Sequence, residues 1–293
     1  MLPVLLLQYT QNTGNPDFCF SILFRPEFEY SSGLFFQSKD HLFMSELLIL
    51  GTAGGRHEYS LFGQPGGSGN SSALLNGTIL FDIGPTILRA LEIYNAEKSV
   101  KELLVTHSHW DHCDFDSIRK LAGLNPELCI SANASVLQQL GDGFNTRLLV
   151  PGQSFSAQNC KFTALPANHA IRDFPDEEPL HYLCETPDGD FLYALDGAWM
   201  MTLAKRLLEN HHLQAIVWDA TCGDDNDWRM FEHNTPGMLL IMRDALREIG
   251  VIQDDTRLIL SHLAKFQLWN PQAEQRMSDN GFEFAFDGMK ISW

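Results

Sequence analysis

Thr106-His107-Ser108-His109-Trp110-Asp111-His112 follows directly on the apolar run Leu103-Leu104-Val105, and the reading of the whole chain turns on this junction. The apolar run reads as a buried strand. Imidazole nitrogen and carboxylate oxygen are good donors to zinc and similar first-row ions. Side chains alternate along an extended segment, so His107 and His109 leave the strand end on one side. Asp111 and His112 fall in the turn toward the next helix, where they can reach a second ion. A lone histidine is more often a satisfied surface or core residue. Four ligand-type side chains in six positions are hard to explain as packing.

Bulk properties narrow the class. The chain has 293 residues, 44% hydrophobic and 19% charged, the composition of a globular protein that can fill one two-sheet α/β domain. Its net charge of -17 argues against binding long nucleic acid, because counterion release from phosphates needs Lys and Arg. A small-molecule substrate is expected, and a homodimer is left open. The six cysteines form no C-x-x-C pair, which argues against a structural zinc knuckle and suits a reducing compartment. No apolar run has the length of a membrane span, and Leu2-Pro3-Val4-Leu5-Leu6-Leu7 is too short for a signal h-region. A cytoplasmic protein without membrane association is the expectation.

Residues 1–43 lack a clear period and read as an N-terminal extension, with residues 44–293 as the catalytic domain; Met44 is a candidate natural start. Leu47–Leu50 is the first strand, followed by a Gly-rich loop from Gly51 to Ser72. Asn76-Gly77, between Ala73–Leu75 and Ile79–Phe81, is a type I′ hairpin signal. Further strands are read at 129–131, 147–150, 160–165, 181–185, 191–195, 215–218 and 258–260. Helices are read at 87–94, 115–122, 135–140, 200–209 and 237–249. Strands interleaved with helices argue for an α/β protein built as an αββα sandwich. Repeating β-α units on a parallel sheet remain open on this pattern alone.

The H-x-H-x-D-H element after an apolar strand resembles the signature of the metallo-β-lactamase superfamily. That resemblance covers about Glu46 to Trp293 and implies three further ligands. His169 in Pro166-Ala167-Asn168-His169-Ala170 fits the third ligand of the first ion. Asp196 in Leu192-Tyr193-Ala194-Leu195-Asp196-Gly197 fits the bridging carboxylate. His262 in Leu258-Ile259-Leu260-Ser261-His262 fits the last histidine. The implied metal set is His107, His109, Asp111, His112, His169, Asp196 and His262. It would hold two divalent ions, zinc first, with manganese or iron also accommodated. Where the family usually has a glycine soon after the last motif histidine, this chain has Cys113-Asp114. Cys113 reads as a core-facing residue and Asp114 as a helix N-cap.

Val217-Trp218-Asp219-Ala220-Thr221-Cys222-Gly223 and Glu232-His233-Asn234-Thr235-Pro236-Gly237 resemble the phosphodiesterase branch. That branch includes ribonuclease Z and the phosphodiesterase associated with carbon–phosphorus lyase. The Gly51-Thr52-Ala53-Gly54-Gly55 segment and the ending Phe286-Asp287-Gly288-Met289-Lys290-Ile291 look like the carbon–phosphorus lyase-associated group. Arg56-His57-Glu58-Tyr59 stands where that group often carries a Cys-rich zinc loop, so a second structural zinc is not expected. The resemblance implies hydrolysis of a small phosphodiester or cyclic phosphate by a dinuclear metal-bound hydroxide. His233 would protonate the leaving oxygen, and Asp111 joins it as a catalytic candidate. As plain structure, His233 would precede or cap the helix at 237–249.

Asp219 is read as holding a ligand histidine by a hydrogen bond, and Asp82 as doing the same or beginning a turn. His57 reads as a solvated loop residue, and His211 and His212 as surface residues at a helix end. Trp110 and Trp199 either wall the pocket or pack the loops. Two rival functions stand beside the phosphodiesterase. One is a hydrolase of a thioester, lactone or β-lactam on the same fold; the other is a non-catalytic metal-binding accessory protein.

Overall fold

A computed structural model describes residues 44–55, 68–264 and 269–293. The N-terminal extension, Arg56–Tyr59 and most of the Gly-rich loop lie outside the described residues.

Fourteen strands pair into two seven-stranded sheets among the described residues. The first sheet runs in the order β14(Lys290–Ser292), β1(Glu46–Gly51), β2(Ser72–Leu75), β3(Ile79–Phe81), β4(Glu102–Leu104), β5(Cys129–Ala132), β6(Asn145–Leu148). The second runs β13(Phe282–Phe284), β12(Arg257–Ser261), β11(Leu213–Asp219), β10(Gly189–Ala194), β9(Leu180–Thr186), β8(Cys160–Pro166), β7(Ser154–Ala157). Helices α1(Ile87–Ile93), α2(Phe115–Leu124) and α3(Ala134–Leu140) belong to the first half. The second half carries α4(Thr202–Leu208), α5(Pro236–Glu248) and α6(Pro271–Asp279).

Strand periodicity sorts the apolar side chains into three layers. In β1, Leu47 and Ile49 enter the core between the sheets, whereas Leu48 and Leu50 join the layer that includes Ile87, Leu91, Ile118 and Leu121 of the helices. The second sheet behaves likewise: Tyr193 and Val217 face inward, while Leu192, Trp218 and Leu260 pack with Leu208, Leu239 and Met277. Phe81 is fully buried at the middle of the inter-sheet layer, with its ring 4.8 Å from Tyr193 and 5.8 Å from Phe191. The result is the αββα sandwich of the sequence reading. The open alternative fails because each sheet is mixed: β1–β2–β3 pair antiparallel and β3–β4–β5–β6 parallel.

The hairpin signal has its expected structure. Asn76 and Gly77 both take positive φ, 50° and 68°, as a type I′ turn requires. The parallel strands matter more for function. Asp82 follows β3, His107 lies just beyond β4, Asp196 just beyond β10, Asp219 ends β11 and His262 follows β12. Carboxyl ends of parallel strands are where open α/β sheets place ligands. Three of these residues, Asp82, Asp196 and His262, sit at φ 57°, 51° and 57°. The left-handed region costs a non-glycine residue about 1 kcal/mol or more and persists where surrounding contacts over-determine it. Those contacts are made in the site.

Among the described residues no helix is long and apolar enough to cross a membrane.

Candidate metal centre

His107, His109, His169 and Asp196 place one potential ligand atom each within 4.8 Å of one another, and Asp111, His112 and His262 do the same. Asp196 lies between the groups. Its Oδ2 is 3.4 Å from His107 Nε2 and 3.5 Å from His169 Nε2, while Oδ1 is 2.9 Å from His262 Nε2 and 3.4 Å from His112 Nε2. All seven sequence candidates are thus brought together, from loops of both sheets.

Five of the imidazoles, His107, His112, His169, His233 and His262, are aimed by a partner on the outer nitrogen. Asp82 Oδ2 accepts from His112 Nδ1 at 2.8 Å, and Asp82 Oδ1 accepts from the Thr106 hydroxyl at 2.9 Å. That hydroxyl in turn stands 2.9 Å from His107 Nδ1 and accepts from it. The other half repeats the device. Asp219 Oδ2 accepts from His233 Nδ1 at 2.8 Å, and Asp219 Oδ1 accepts from the Thr221 hydroxyl at 2.6 Å, which accepts from His262 Nδ1 at 2.6 Å. So each buried carboxylate holds one histidine directly and a second through a threonine. His169 Nδ1 donates to the Glu232 carbonyl at 3.1 Å. Such outer partners fix the tautomer and leave the inner nitrogen as a lone pair.

The inward nitrogens then confront one another. His112 Nε2 lies 3.0 Å from His262 Nε2, His107 Nε2 is 3.0 Å from His109 Nδ1, and His169 Nε2 is 3.1 Å from His109 Nδ1. Two lone pairs at that distance repel unless a proton or a cation lies between them. Asp196 Oδ1 is buried without a hydrogen-bond partner among the described residues. Every ion pair formed by Asp82, Asp111, Asp196 and Asp219 among those residues is with a histidine, never Lys or Arg. Buried carboxylates need compensating positive charge. The nitrogen and oxygen donors fit divalent ions of the zinc type.

The electrostatics of the protein alone show the same demand. Burial drives His169 down to about 4 and His107 well below the ordinary imidazole value. Burial also opposes charging of His112, yet Asp196, Asp82 and Asp111 push it up to about 10. Burial raises Asp111, Asp196 and Asp219 individually, but neighbouring histidines outweigh it and hold all three low. Burial wins at Asp82, whose carboxyl is raised. His233 is raised: burial lowers it, and the Asp219 carboxylate more than reverses this.

Other sequence candidates resolve as follows. Asp219 does hold a histidine by hydrogen bond, directly His233 and through Thr221 His262. Asp114 caps α2, accepting from Ser117 N, and Cys113 is buried in the core. His211 pairs with Asp190 at 2.7 Å and His212 with Asp255 at 3.0 Å, away from the centre. Trp110 lines a cleft of about 490 Å³ beside His109, whereas Trp199 N donates to Asn234 Oδ1 at 3.1 Å. His57 lies outside the described residues.

Several positioning residues carried no sequence signal. Besides the two threonines, Glu177 accepts from Ser108 N at 2.8 Å and from Asn133 Nδ2 at 3.0 Å, fixing the loop between His107 and His109. His181 donates to the Asp196 carbonyl at 3.3 Å, supporting its left-handed backbone. Asp111 Oδ2 accepts from Gly55 N at 2.8 Å. Next to it, a Cβ on Gly54 would stand 2.4 Å from His262 Nδ1, so only glycine lets this loop pass. Asp287 fastens the same loop, accepting from Thr52 Oγ1 at 3.0 Å and Gly69 N at 2.7 Å. Thr221→Val keeps the side-chain shape and deletes the relay to His262. It is expected to weaken zinc binding about 10- to 100-fold in competition with a chromophoric chelator. Unchanged affinity would show that Thr221 does not set His262.

Two mixed sheets in an αββα sandwich, with histidines and aspartates gathered at their strand ends, define a metallo-β-lactamase-fold protein. A family model described as a β-lactamase superfamily domain matches residues 78–263, and the chain belongs to that family of metal-dependent hydrolases. A search of curated protein sequences finds no match. Solved structures carry the fold at low identity. Zn²⁺-bound PqqB from Methylobacterium extorquens is 15% identical, with a TM-score of 0.67 over 85% of this chain and 100% of that one. A diphosphatase from the PhnP family is 17% identical, with a TM-score of 0.63 over 85% and 97%. The short form of human tRNase Z is 16% identical, with a TM-score of 0.62 over 84% and 98%.

Proposed function

We propose that the chain is a metal-dependent phosphodiesterase acting on a small phosphodiester or cyclic phosphate. His107, His109, His169 and Asp196 would hold one divalent ion, and Asp111, His112, His262 and Asp196 the other. When bound, such ions lower the pKa of a coordinated water toward neutrality and offset charge on a phosphoryl oxygen.

The observation that carries the reading is His233. Its ring stacks on His262 at 5.6 Å and lies 5.1 Å from His169, and its Nδ1 donates to Asp219. Asp219 fixes the tautomer and stabilises the imidazolium, leaving Nε2 to hold the proton. A carbonyl substrate needs no such group when its leaving group departs easily. A phosphodiester releases an alkoxide, which needs a proton at that point. His233 is therefore assigned as the general acid on the leaving oxygen, acting from Nε2. The likeness to a diphosphatase of the PhnP family and to a tRNase Z accords with phosphorus–oxygen chemistry. Given a net charge of -17, the substrate is taken to be small rather than a long nucleic acid.

The test is metal analysis joined to a substrate panel of bis-aryl phosphodiesters, cyclic phosphates, acyl thioesters and lactones. Zinc-dependent turnover of the phosphorus substrates, well above the acyl ones, is expected. Preferential cleavage of a thioester or lactone would replace the phosphodiesterase reading with an acyl hydrolase. Full metal occupancy with no turnover at all would leave an accessory protein.

A further inference from the structure

The cleft of about 490 Å³ beside the centre is built by the two loops that carry the first ion's histidines. His109 and Trp110 line it from one loop, Asp173 and Phe174 from the other, and Phe115 at the start of α2 closes it. A group held here lies against His109, a proposed metal ligand, and so within reach of a phosphoryl group at the centre. Two kinds of surface meet in this space. Three aromatic rings, Trp110, Phe115 and Phe174, line it, the first and last of them 45% and 39% exposed. Its charged groups are Asp114, Asp116, Asp173 and Arg172, three carboxylates to one guanidinium.

That combination selects among ligands. The first turn of α2 would favour an anion, but Asp114 already accepts from Ser117 N at 2.9 Å and Asp116 adds a second negative charge there. A neutral apolar arm would use the rings and leave the carboxylates without counter-charge as the cleft loses its water. A cation with an apolar surface uses both, since ring faces attract it and carboxylates balance it. The chain's net charge of -17 draws cations toward the protein as well. We infer that one ester arm of the substrate carries a quaternary ammonium group, received in this cleft by Trp110, Phe115, Phe174 and the carboxylates beside them. This rests on the phosphodiesterase reading.

An isosteric pair of esters tests this on the zinc-loaded enzyme, with phosphorus NMR reading cleavage of either ester bond. 4-Nitrophenyl phosphorylcholine carries the cation, and 4-nitrophenyl 3,3-dimethylbutyl phosphate has carbon in place of its nitrogen. KM for the choline ester is expected to lie about 5- to 30-fold below that of the neutral one. The double variant Asp173→Asn, Phe174→Leu removes a charge and a ring but keeps an apolar surface, at two exposed positions that are not proposed ligands. It is expected to bring the two KM values together at unchanged zinc content, chiefly by raising that of the choline ester. Calorimetric titration with choline itself reads the cleft without turnover, and the double variant should lose that binding.

Turnover with equal KM values, or a lower KM for the neutral ester, overturns the inference while the phosphodiesterase stands. A choline preference that the double variant keeps places the cation elsewhere and overturns the cleft. No turnover of either ester ends the phosphodiesterase reading. Choline binding that the variant loses would then keep the ammonium site, and no choline binding would overturn that too. Glycerophosphocholine in solution and phosphatidylcholine in vesicles carry the same group, and the one cut faster tells a soluble diester from a lipid headgroup.

Discussion

Asp196→Ala is expected to lose most of its bound zinc and to hydrolyse phosphodiesters at least about a thousandfold more slowly. The reason lies in the two oxygens of this one carboxylate. Oδ2 faces His107 and His169, and Oδ1 faces His112 and His262. Removing it strips an anionic donor from both proposed ions and leaves the confronted imidazoles without their shared counter-charge. Lewis-acid stabilisation by such ions is worth several kcal/mol, and each 1.36 kcal/mol is about tenfold in rate. Elemental analysis of the purified variant measures the first loss and initial rates the second. Circular dichroism matching the parent would show that the sandwich is intact. Two ions per chain retained in Asp196→Ala would remove this residue from the bridging position.

His233→Ala should separate metal binding from chemistry. Its Nδ1 is committed to Asp219, so the variant is expected to keep both metals while losing turnover about 100- to 10,000-fold on alkyl phosphodiesters. The loss should shrink on 4-nitrophenyl esters, whose leaving group departs without a proton. Undiminished turnover of an alkyl ester would end the general-acid assignment. A matching fall in zinc content would recast His233 as a ligand.

Much of the site was legible because its chemistry is concentrated. His107, His109, Asp111 and His112 are adjacent in sequence, and unusual residue types at close spacing need no alignment to be noticed. His169, Asp196 and His262 could be placed only through resemblance, since a single His or Asp after a strand has many ordinary explanations. Thr106, Thr221, Glu177 and His181 were missed for a physical reason. Their role lies in what they touch at a distance along the chain, from 15 residues for His181 and Asp196 to 69 for Ser108 and Glu177, and threonine at a strand end is commonplace. The strands that failed to register share a weak apolar period. In β7, Ser154–Ala157 has no fully buried residue, and β13 and β14 are three residues each. For β6 the apolar run Leu148-Leu149-Val150 drew the expected strand to 147–150, yet the pairing residues are Asn145–Leu148. An edge strand is chosen by its neighbour's backbone, here β5, more than by its own burial.

The candidate ligands come from both sheets: His107, His109, Asp111 and His112 from the first, His169, Asp196 and His262 from the second. A metal cluster so placed would be a crosslink that forms only when the two halves are assembled. Metal binding and unfolding are then one linked equilibrium. Beyond saturation, each tenfold rise in free zinc would stabilise the folded chain by about 1.4 kcal/mol for each ion that the unfolded chain does not hold. For a domain of this size that corresponds to a few degrees in the melting midpoint, about 2–4 °C per kcal/mol. The melting temperature would therefore serve as a gauge of metal occupancy that needs no substrate.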